Sequence, residues 1–344
     1  MREEEIRPQA LFNRYLELAR KDVDRFFSDR SGFVNVPCPA CTSDHAELGL
    51  EKFGFRYLTC LGCGSLYTSP RPRPALVDAY YREGEAVRFW ASDFFKMTAE
   101  ARREQIFRPR ARLVAEWVDK AVRDRRKPDT FVEVGSGYGI FLEEIAALDL
   151  FDEVVGIEPA PHLAAICRQK GFRIIEKPAE DVLPEELQAA SATAFEVLEH
   201  LYDPAKFLEA VRRFLVPGGL FLFTTLTVSG FDIQVLWENS KSIYPPHHLN
   251  LISVEGMERL VARCGFELAE LTTPGELDVD IVCNVAAENP NISIPSFVKQ
   301  IIYSRGEEVR VNFQQFLKIN RLSSHIRVVA LVCENRRNHD PSKT

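Results

Sequence analysis

The sequence has no apolar run that approaches the roughly 20 residues of a membrane-spanning helix. Its first residues, MREEEIRPQALF, contain no apolar stretch of the kind found in a secretion signal. Positive charge is not in excess either, since 43 lysines and arginines face 50 aspartates and glutamates, a net charge of −7. These absences argue against a membrane partner and make nucleic acid an unlikely one. We therefore expect a cytoplasmic protein.

Composition and length indicate an ordinary globular protein with more than one part. Hydrophobic residues make up 46% and charged residues 27% of the 344 positions, which is typical of folded domains. At roughly 150 residues per domain, the length fits two domains or one large domain with attachments.

Cysteine is sparse outside one short segment that contains four of the eight cysteines. Two C-x-x-C pairs occur there, Cys38 with Cys41 and Cys60 with Cys63. Each pair can direct two thiolates at one centre, so the four predict a closed, structural zinc site. A disulfide is disfavoured in a reducing compartment, and His45 is an alternative ligand that four cysteines make unnecessary. We expect the other cysteines to be small buried apolar side chains, namely Cys167, Cys264, Cys283 and Cys333.

Changes in pattern along the chain suggest five segments. We predict an N-terminal helix over 1–30, a zinc ribbon over 31–72, a helical connector over 73–128, a main domain over 129–336 and a tail over 337–344. Within the main domain, five candidate strands alternate with helical segments, which predicts a parallel sheet covered by helices on both faces. The largely helical piece 275–322 is predicted as an insertion between two antiparallel edge strands, before the last strand.

The strongest chemical signal is a strand followed by a glycine turn, Val132-Glu133-Val134-Gly135-Ser136-Gly137-Tyr138-Gly139, and then by a helix. Glycines let the backbone turn sharply and approach a ligand closely. Glu158 ends the next strand, where a carboxylate can accept hydrogen bonds from ribose hydroxyls. The spacing of the glycines, G-x-G-x-G, is not the G-x-G-x-x-G of a dinucleotide-binding site. A carboxylate as close as that of Glu133 would also repel a pyrophosphate. A cationic ligand without phosphate, S-adenosylmethionine (SAM), fits instead.

Four motifs together, VEVGSGYG, VVGIEP, AFEVLEHLYDP and FLVPGGLFLFTT, resemble those of class I SAM-dependent methyltransferases over about residues 129–272. The resemblance implies a Rossmann-like seven-stranded sheet whose last strand is antiparallel, and methyl transfer from SAM. It further implies that SAM lies against the glycine turn and three nearby segments. The implied cofactor-binding residues are Glu133, Gly135, Ser136, Gly137, Gly139, Glu158, Pro159, Ala179, Glu180, Asp181, Phe195 and Glu196.

A histidine pair lies where the acceptor of the methyl group should bind. The segment Tyr244-Pro245-Pro246-His247-His248 follows the fifth strand and so reaches the carboxyl edge of the sheet. Imidazoles titrate near neutral pH and can remove a proton from an acceptor. We predict His248 or His247 as general base, with Tyr244 and His200 as further candidates. The alternative is that one histidine packs and caps the next helix. A basic run between Arg102 and Lys127 could contact a phosphate of a nucleotide sugar or of RNA, but we favour a solvated helix face because acids are interleaved.

The zinc segment followed by YTSPRPRPALVDAYY and the C-terminal TPGELDVDIV resemble a narrower group, bacterial methyltransferases of sugar and surface-polysaccharide biosynthesis, including sugar C-methyltransferases. This resemblance implies a small-molecule acceptor such as a nucleotide-linked sugar. Two other functions are weighed: an RNA methyltransferase that grips RNA with its ribbon, and a non-catalytic scaffold that binds SAM and zinc. The acidic balance argues against the first, and the glycine turn with its histidine loop argues against the second.

Overall fold

Helices and a small antiparallel sheet form the N-terminal part of the computed structural model, which describes residues 2–121 and 129–333. Two helices come first, α1 (Glu3–Ile6) and α2 (Gln9–Phe26). The prediction of a single helix over 1–30 is wrong, because Pro8 disfavours a helical conformation of the residue before it and lacks an N–H. Three strands follow: β1 (Ala46–Lys52), β2 (Phe55–Cys60) and β3 (Leu66–Thr68).

A long helical run connects the small sheet to the main domain. Its members are α3 (Pro74–Glu83), α4 (Glu85–Phe89), α5 (Phe95–Arg102) and α6 (Arg108–Ala121). Two π-helical turns, Trp90–Phe94 and Arg103–Phe107, join α4, α5 and α6 into one continuous helix. A π-helical turn widens the helix locally and rotates the face that the following residues present, and it is frequent at functional sites. The predicted connector continues over 122–128, which lie outside the described residues.

A seven-stranded sheet is the centre of the molecule. Its parallel strands are β4 (Thr130–Val134), β5 (Glu153–Ile157), β6 (Arg173–Ile175), β7 (Ala189–Phe195) and β8 (Leu215–Leu226). The two-residue strand β9 (Asn250–Leu251) belongs to the small sheet, and β10 (Phe266–Thr272) and β11 (His325–Val332) complete the large one. The strand order is β10-β11-β8-β7-β4-β5-β6, with β11 antiparallel to both neighbours. The predicted Rossmann-like sheet with an antiparallel last strand is confirmed.

Helices cover both faces of this sheet. They are α6 together with α7 (Ile140–Ala146), α8 (Pro161–Gln169), α9 (Pro204–Phe214) and α11 (Val254–Arg263). Helix α10 (Phe231–Leu236) packs instead against the small sheet and the helices that follow β10. Strand β4 is buried along its whole length, as expected for a central parallel strand with helices on both sides. The carboxyl ends of β4, β5 and β7 therefore meet at one edge, where ligands bind in open α/β sheets.

Three helices lie between β10 and β11, namely α12 (Asp278–Glu288), α13 (Ser296–Lys299) and α14 (Gly306–Ile319). They form an apolar cluster of their own with Leu236 of α10. The insertion also reaches α1, because the Glu3 backbone N–H donates to Asp280 at 2.8 Å. Of the two strands that flank the insertion, only β10 lies at an edge of the sheet, since β11 pairs with both β10 and β8. The prediction of two edge strands is therefore wrong for β11. The predicted tail 337–344 lies outside the described residues.

The small sheet takes its fourth strand from the main domain. Its order is β1-β2-β3-β9, and β9 lies in the chain between β8 and β10. The segment that contains the histidine pair leads directly into β9 and is therefore held by the N-terminal part. Across the described ranges, no helix is both long and apolar enough to cross a membrane.

Candidate active site

The glycine turn after β4 has the backbone shape that a close ligand requires. Gly135, Gly137 and Gly139 have φ of 79°, 53° and 68°, a region that L side chains rarely adopt. A Cβ at Gly139 would meet the Cys167 sulfur at 2.9 Å, whereas a Cβ at Gly137 would point into open space. Gly139 is therefore required for packing, whereas the space next to the Gly137 backbone is open. Ser136 stabilises the turn, since its Oγ donates to the Glu133 carbonyl at 3.1 Å.

Two buried carboxylates face this turn. Glu158 accepts hydrogen bonds from the backbone N–H groups of Gly137 and Ala160, both at 2.9 Å. Glu133 is 3% exposed, and its Oε2 has no hydrogen-bond partner among the described residues. Burial, followed by the Glu158 charge, raises the pKa of Glu133 well above its usual value. Two acids with spare lone pairs fit the ammonium and ribose hydroxyls of SAM and disfavour a pyrophosphate.

The remaining predicted cofactor residues lie along the same sheet edge. Pro159 follows Glu158, and Ala179–Asp181 form a short 3₁₀ turn in which Ala179 is buried. Phe195 packs edge-on against Phe141 at 4.7 Å between ring centroids. Glu196 has φ of 56°, and its Oε1 accepts hydrogen bonds from Arg110, Thr224 and His325 at 2.7–2.9 Å. Only the other oxygen of Glu196 is left for a ligand.

The four clustered cysteines of the N-terminal part converge on one point. The Cys38 and Cys63 sulfurs are 3.6 Å apart, and those of Cys41 and Cys60 are 3.5 Å apart. All four sulfurs lie within 4.8 Å of one another. The residue after each pair, Thr42 or Gly64, has positive φ and donates its N–H to the first cysteine's carbonyl. Four sulfurs in this arrangement fit a tetrahedral zinc ion with no open position.

The other four cysteines differ in their exposure. Cys167 and Cys264 are buried, Cys283 is half-buried and Cys333 is exposed. The prediction that all four are buried apolar side chains is therefore wrong for Cys333.

The histidine loop is anchored at its first residue. The Tyr244 hydroxyl donates to the Leu16 carbonyl at 2.6 Å, and the residue is 6% exposed. This contact favours an anchoring role for Tyr244 over the predicted catalytic one, because its hydroxyl holds the loop against helix α2. His247 stacks on Tyr81 with ring centroids 5.7 Å apart, and its Nδ1 lies 2.9 Å from the Tyr80 hydroxyl.

Two histidines, His200 and His248, each have Nδ1 next to a backbone carbonyl. His248 Nδ1 lies 2.6 Å from the Ser242 carbonyl, and His200 Nδ1 lies 2.8 Å from the His247 carbonyl. Because a carbonyl only accepts, each Nδ1 carries the proton and each Nε2 has a lone pair. Burial, followed by the His200 charge, lowers the pKa of His248 to about 3, so His248 is neutral near pH 7.

A buried acid completes this group. Glu199 is 2% exposed, and it accepts a hydrogen bond from the Thr225 hydroxyl at 2.6 Å. Ligand atoms of Glu199, His200 and His248 lie within 4.8 Å of one another, a donor set that could hold a cation. Burial, followed by the Glu196 charge, raises the pKa of Glu199 to about 8. The neutral form of Glu199 therefore predominates near pH 7. A neutral acid favours proton transfer over cation binding at the group formed by Glu199, His200 and His248.

The small sheet holds the histidine loop directly. The Tyr57 hydroxyl donates to the His248 carbonyl at 2.7 Å, and the Thr68 N–H donates to the Leu249 carbonyl at 2.9 Å. Arg71, 1% exposed, donates to the Tyr202 carbonyl at 2.6 Å and to Asn250 Oδ1 at 3.1 Å. The sequence identified the loop but not these supporting residues, because they lie far away along the chain.

The basic run is not a uniformly solvated helix face, contrary to the prediction. Arg103 forms ion pairs with Glu143 and Glu144 of α7 at 2.7 Å, and Arg110 forms one with Glu196 at 2.9 Å. The π-helical turns alter the helical phase, so the interleaving of acids did not indicate which side faces the core. The part of the run over 122–127 lies outside the described residues.

Comparison with known proteins agrees with this geometry. Residues 102–271, just under half of the chain, match the sequence family described as a methyltransferase domain. A ubiquinone biosynthesis O-methyltransferase of Xanthomonas oryzae pv. oryzae is 32% identical over 116 residues, which cover 30% of this chain and 47% of the relative. One of Paraburkholderia phymatum is 28% identical over 171 residues, 47% of this chain and 65% of the relative.

Among solved structures, the chain is similar to the plantazolicin methyltransferase BpumL in complex with SAH. The TM-score is 0.48 and the identity 13%, and the match covers 75% of this chain and 94% of BpumL. The chain spans about half the length of the first curated relatives. Residues 102–271 thus match a methyltransferase domain, and the sheet order and the glycine turn agree with the Rossmann-like fold of such a domain. Residues 102–271 carry this domain, and the remainder supplies the cysteine cluster and the insertion.

Proposed function

We propose that the protein transfers a methyl group from SAM to a small-molecule acceptor that binds at the histidine loop. One observation carries the proposal. The turn at Gly135–Gly139 exposes backbone at Gly137, and two buried carboxylates, Glu133 and Glu158, face it with lone pairs to spare. A cationic nucleoside matches this set, since it brings the positive charge and the hydroxyl donors that the acids lack.

On the acceptor side, His248 is the residue that we propose as general base. Bound SAM supplies an activated methyl group and a neutral leaving group. His248 receives the proton of the acceptor at Nε2, whose lone pair is available because Nδ1–H donates to Ser242. His200 and His247 hold the imidazole in place through packing at 4.9 Å and 6.1 Å between ring centroids. The buried Tyr80 contacts His247 at 5.8 Å between ring centroids, and we expect it to help keep water from the transfer.

For the acceptor class, we favour a nucleotide-linked sugar or a polysaccharide precursor. The support is the sequence resemblance of the zinc segment, linker and C-terminal motifs to sugar methyltransferases. The alternative is the hydroxyl of another small molecule, because the curated relatives are named O-methyltransferases of ubiquinone biosynthesis. Both alternatives place an oxygen- or carbon-bound proton next to His248.

Zinc at Cys38, Cys41, Cys60 and Cys63 is the second part of the proposal. Protein purified without added zinc should contain about one zinc per chain, as expected for a closed four-thiolate site. Atomic absorption after exhaustive dialysis measures this ratio. Metal-free protein that is fully folded would contradict the assignment.

Replacing Glu158 tests the cofactor site. Glu158→Ala removes an acceptor of charge-assisted hydrogen bonds from the cofactor, and we expect the binding of SAM or SAH to weaken by about 2–3 kcal/mol. Isothermal titration calorimetry with SAH gives this value. The matched control is Glu153→Ala, which removes a carboxylate from the opposite end of strand β5, where it pairs with Arg173 at the surface. Equal SAH affinity in the two variants would refute the role of Glu158.

A further inference from the structure

A largely buried arginine lies between the glycine turn and the histidine loop without an acidic partner. Arg102 is the last residue of α5, and its Nε donates to Thr98 Oγ1 at 3.1 Å. Its guanidinium carbon lies 5.4–5.7 Å from the ring centroids of Trp90, Phe94 and Phe95. Within 2–121 and 129–333, no carboxylate forms an ion pair with it. A buried charge without a counter-ion is costly, which suggests that a ligand supplies the counter-ion.

A second cation lies on the same side. Arg7 has its guanidinium carbon 4.8 Å above the Phe12 ring, and Phe12 contacts Phe94 at 6.4 Å between centroids. One nitrogen of Arg7 pairs with Glu3 at 3.4 Å, while its buried Nε has no hydrogen-bond partner among the described residues. After burial, the Arg7 charge is the largest cause that lowers the pKa of Arg102, to about 9.

Glu196, the acid whose charge acts on Arg102, already has other hydrogen-bond partners. Glu196 attracts Arg102 over a distance, but its Oε1 accepts hydrogen bonds from Arg110 and His325 at 2.9 Å and 2.7 Å. Among these groups, the positive charge of Arg102 is therefore not neutralised by a direct partner. The π-helical turns Trp90–Phe94 and Arg103–Phe107 on either side of α5 determine which side chains of α5 face the site.

Aromatic contacts place Arg102 beside the transfer site. Phe95 stacks on Tyr138 of the glycine turn, with centroids 4.8 Å apart and planes at 9°. In the other direction, Trp90 contacts Tyr15 at 4.9 Å, and Tyr15 contacts His247 at 5.5 Å. Arg102 joins these two sets of rings, since its guanidinium lies near both Phe95 and Trp90.

We propose that Arg102 and Arg7 bind an anionic group, a carboxylate or a phosphate, of the methyl acceptor. The inference rests on the proposed function, because it assumes that the acceptor lies between the glycine turn and the histidine loop. Guanidinium groups suit this task, since their planar N–H groups match carboxylate and phosphate oxygens. A nucleotide-linked acceptor carries such a group. The other source of an oxyanion is the methionine carboxylate of SAM, which the test separates.

The test measures two binding reactions by calorimetry, SAH alone and inorganic pyrophosphate added to protein saturated with SAH. In the saturated protein the methionine carboxylate is already in place, so pyrophosphate reports the remaining anion site. We expect Arg102→Met and Arg7→Met to weaken pyrophosphate binding by about tenfold or more and to leave SAH affinity unchanged. Arg102→Lys should retain part of the pyrophosphate binding. Arg112→Met is the control, because Arg112 is exposed on α6.

Three results would overturn the inference. The first is wild-type protein that binds SAH but no pyrophosphate, and the second is pyrophosphate binding that is equal in Arg102→Met and Arg112→Met. The third is a loss of SAH affinity in Arg102→Met, which would assign the arginine to the methionine carboxylate. Wild-type protein that binds no SAH would instead contradict the proposed function, so the two failures are distinguishable.

Discussion

His248→Asn should lower the rate of methyl transfer by roughly a hundredfold or more, the usual contribution of a general base, with SAH affinity unchanged. Asparagine can still donate a hydrogen bond towards the Ser242 carbonyl, which His248 contacts at 2.6 Å, but its amide does not accept a proton at neutral pH. The variant thus separates proton acceptance from support of the loop. Rates measured under single-turnover conditions with saturating SAM report the transfer step.

The control for this experiment is His162→Asn, because His162 is exposed on helix α8. We expect its rate to equal that of the wild type. A His248→Asn enzyme with the wild-type rate would exclude His248 as the base and would direct attention to His200, whose Nε2 is also unprotonated.

Loss of the zinc site should abolish most methyl transfer while SAH still binds. The cysteine cluster fixes the small sheet, whose strand β3 pairs with β9 directly after the histidine loop. The Ser253 hydroxyl at the start of α11 donates to the Cys63 carbonyl, a second link between the cluster and the main domain. In Cys60→Ser, we expect the metal to be lost and the rate to fall roughly a hundredfold, the scale for misplaced catalytic groups.

Cys283→Ser is the matched control, since Cys283 is half-buried in the insertion and lies outside the cluster. It should retain both metal and rate. SAH affinity, measured for both variants, shows whether the large sheet remains folded. Full activity in a metal-free Cys60→Ser protein would show that the small sheet positions the loop without metal.

The sheet and the cofactor side were predictable because their signals are local. A buried strand, three glycines and a helix stand together between Thr130 and Ala146, and the need for positive φ at Gly135, Gly137 and Gly139 is met by the residue type itself. The same holds for the four cysteines, whose spacing defines two turns.

The residues that hold the histidine loop on the acceptor side were not predictable, because their contacts join positions far apart in the sequence. The Tyr244 hydroxyl donates a hydrogen bond to the Leu16 carbonyl, 228 residues away in the sequence. A two-residue strand such as β9 is too short for a hydrophobic periodicity to be detected. Arg102 was assigned to a solvated helix face for another reason. The π-helical turns on both sides of α5 shift the helical phase, so a charge pattern read with the usual period assigns the wrong face to solvent.

The central claim is that Glu158 and His248 serve one transfer of a methyl group from SAM. Its most direct test is mass spectrometry of a nucleotide-sugar pool incubated with the protein and SAM labelled in the methyl group. The account predicts one pool component that gains a single labelled methyl group with the wild type, and far less of that product with Glu158→Ala or His248→Asn at the same enzyme concentration and time, about a hundredfold less for His248→Asn. A labelled product formed equally by the wild type and both variants would contradict it.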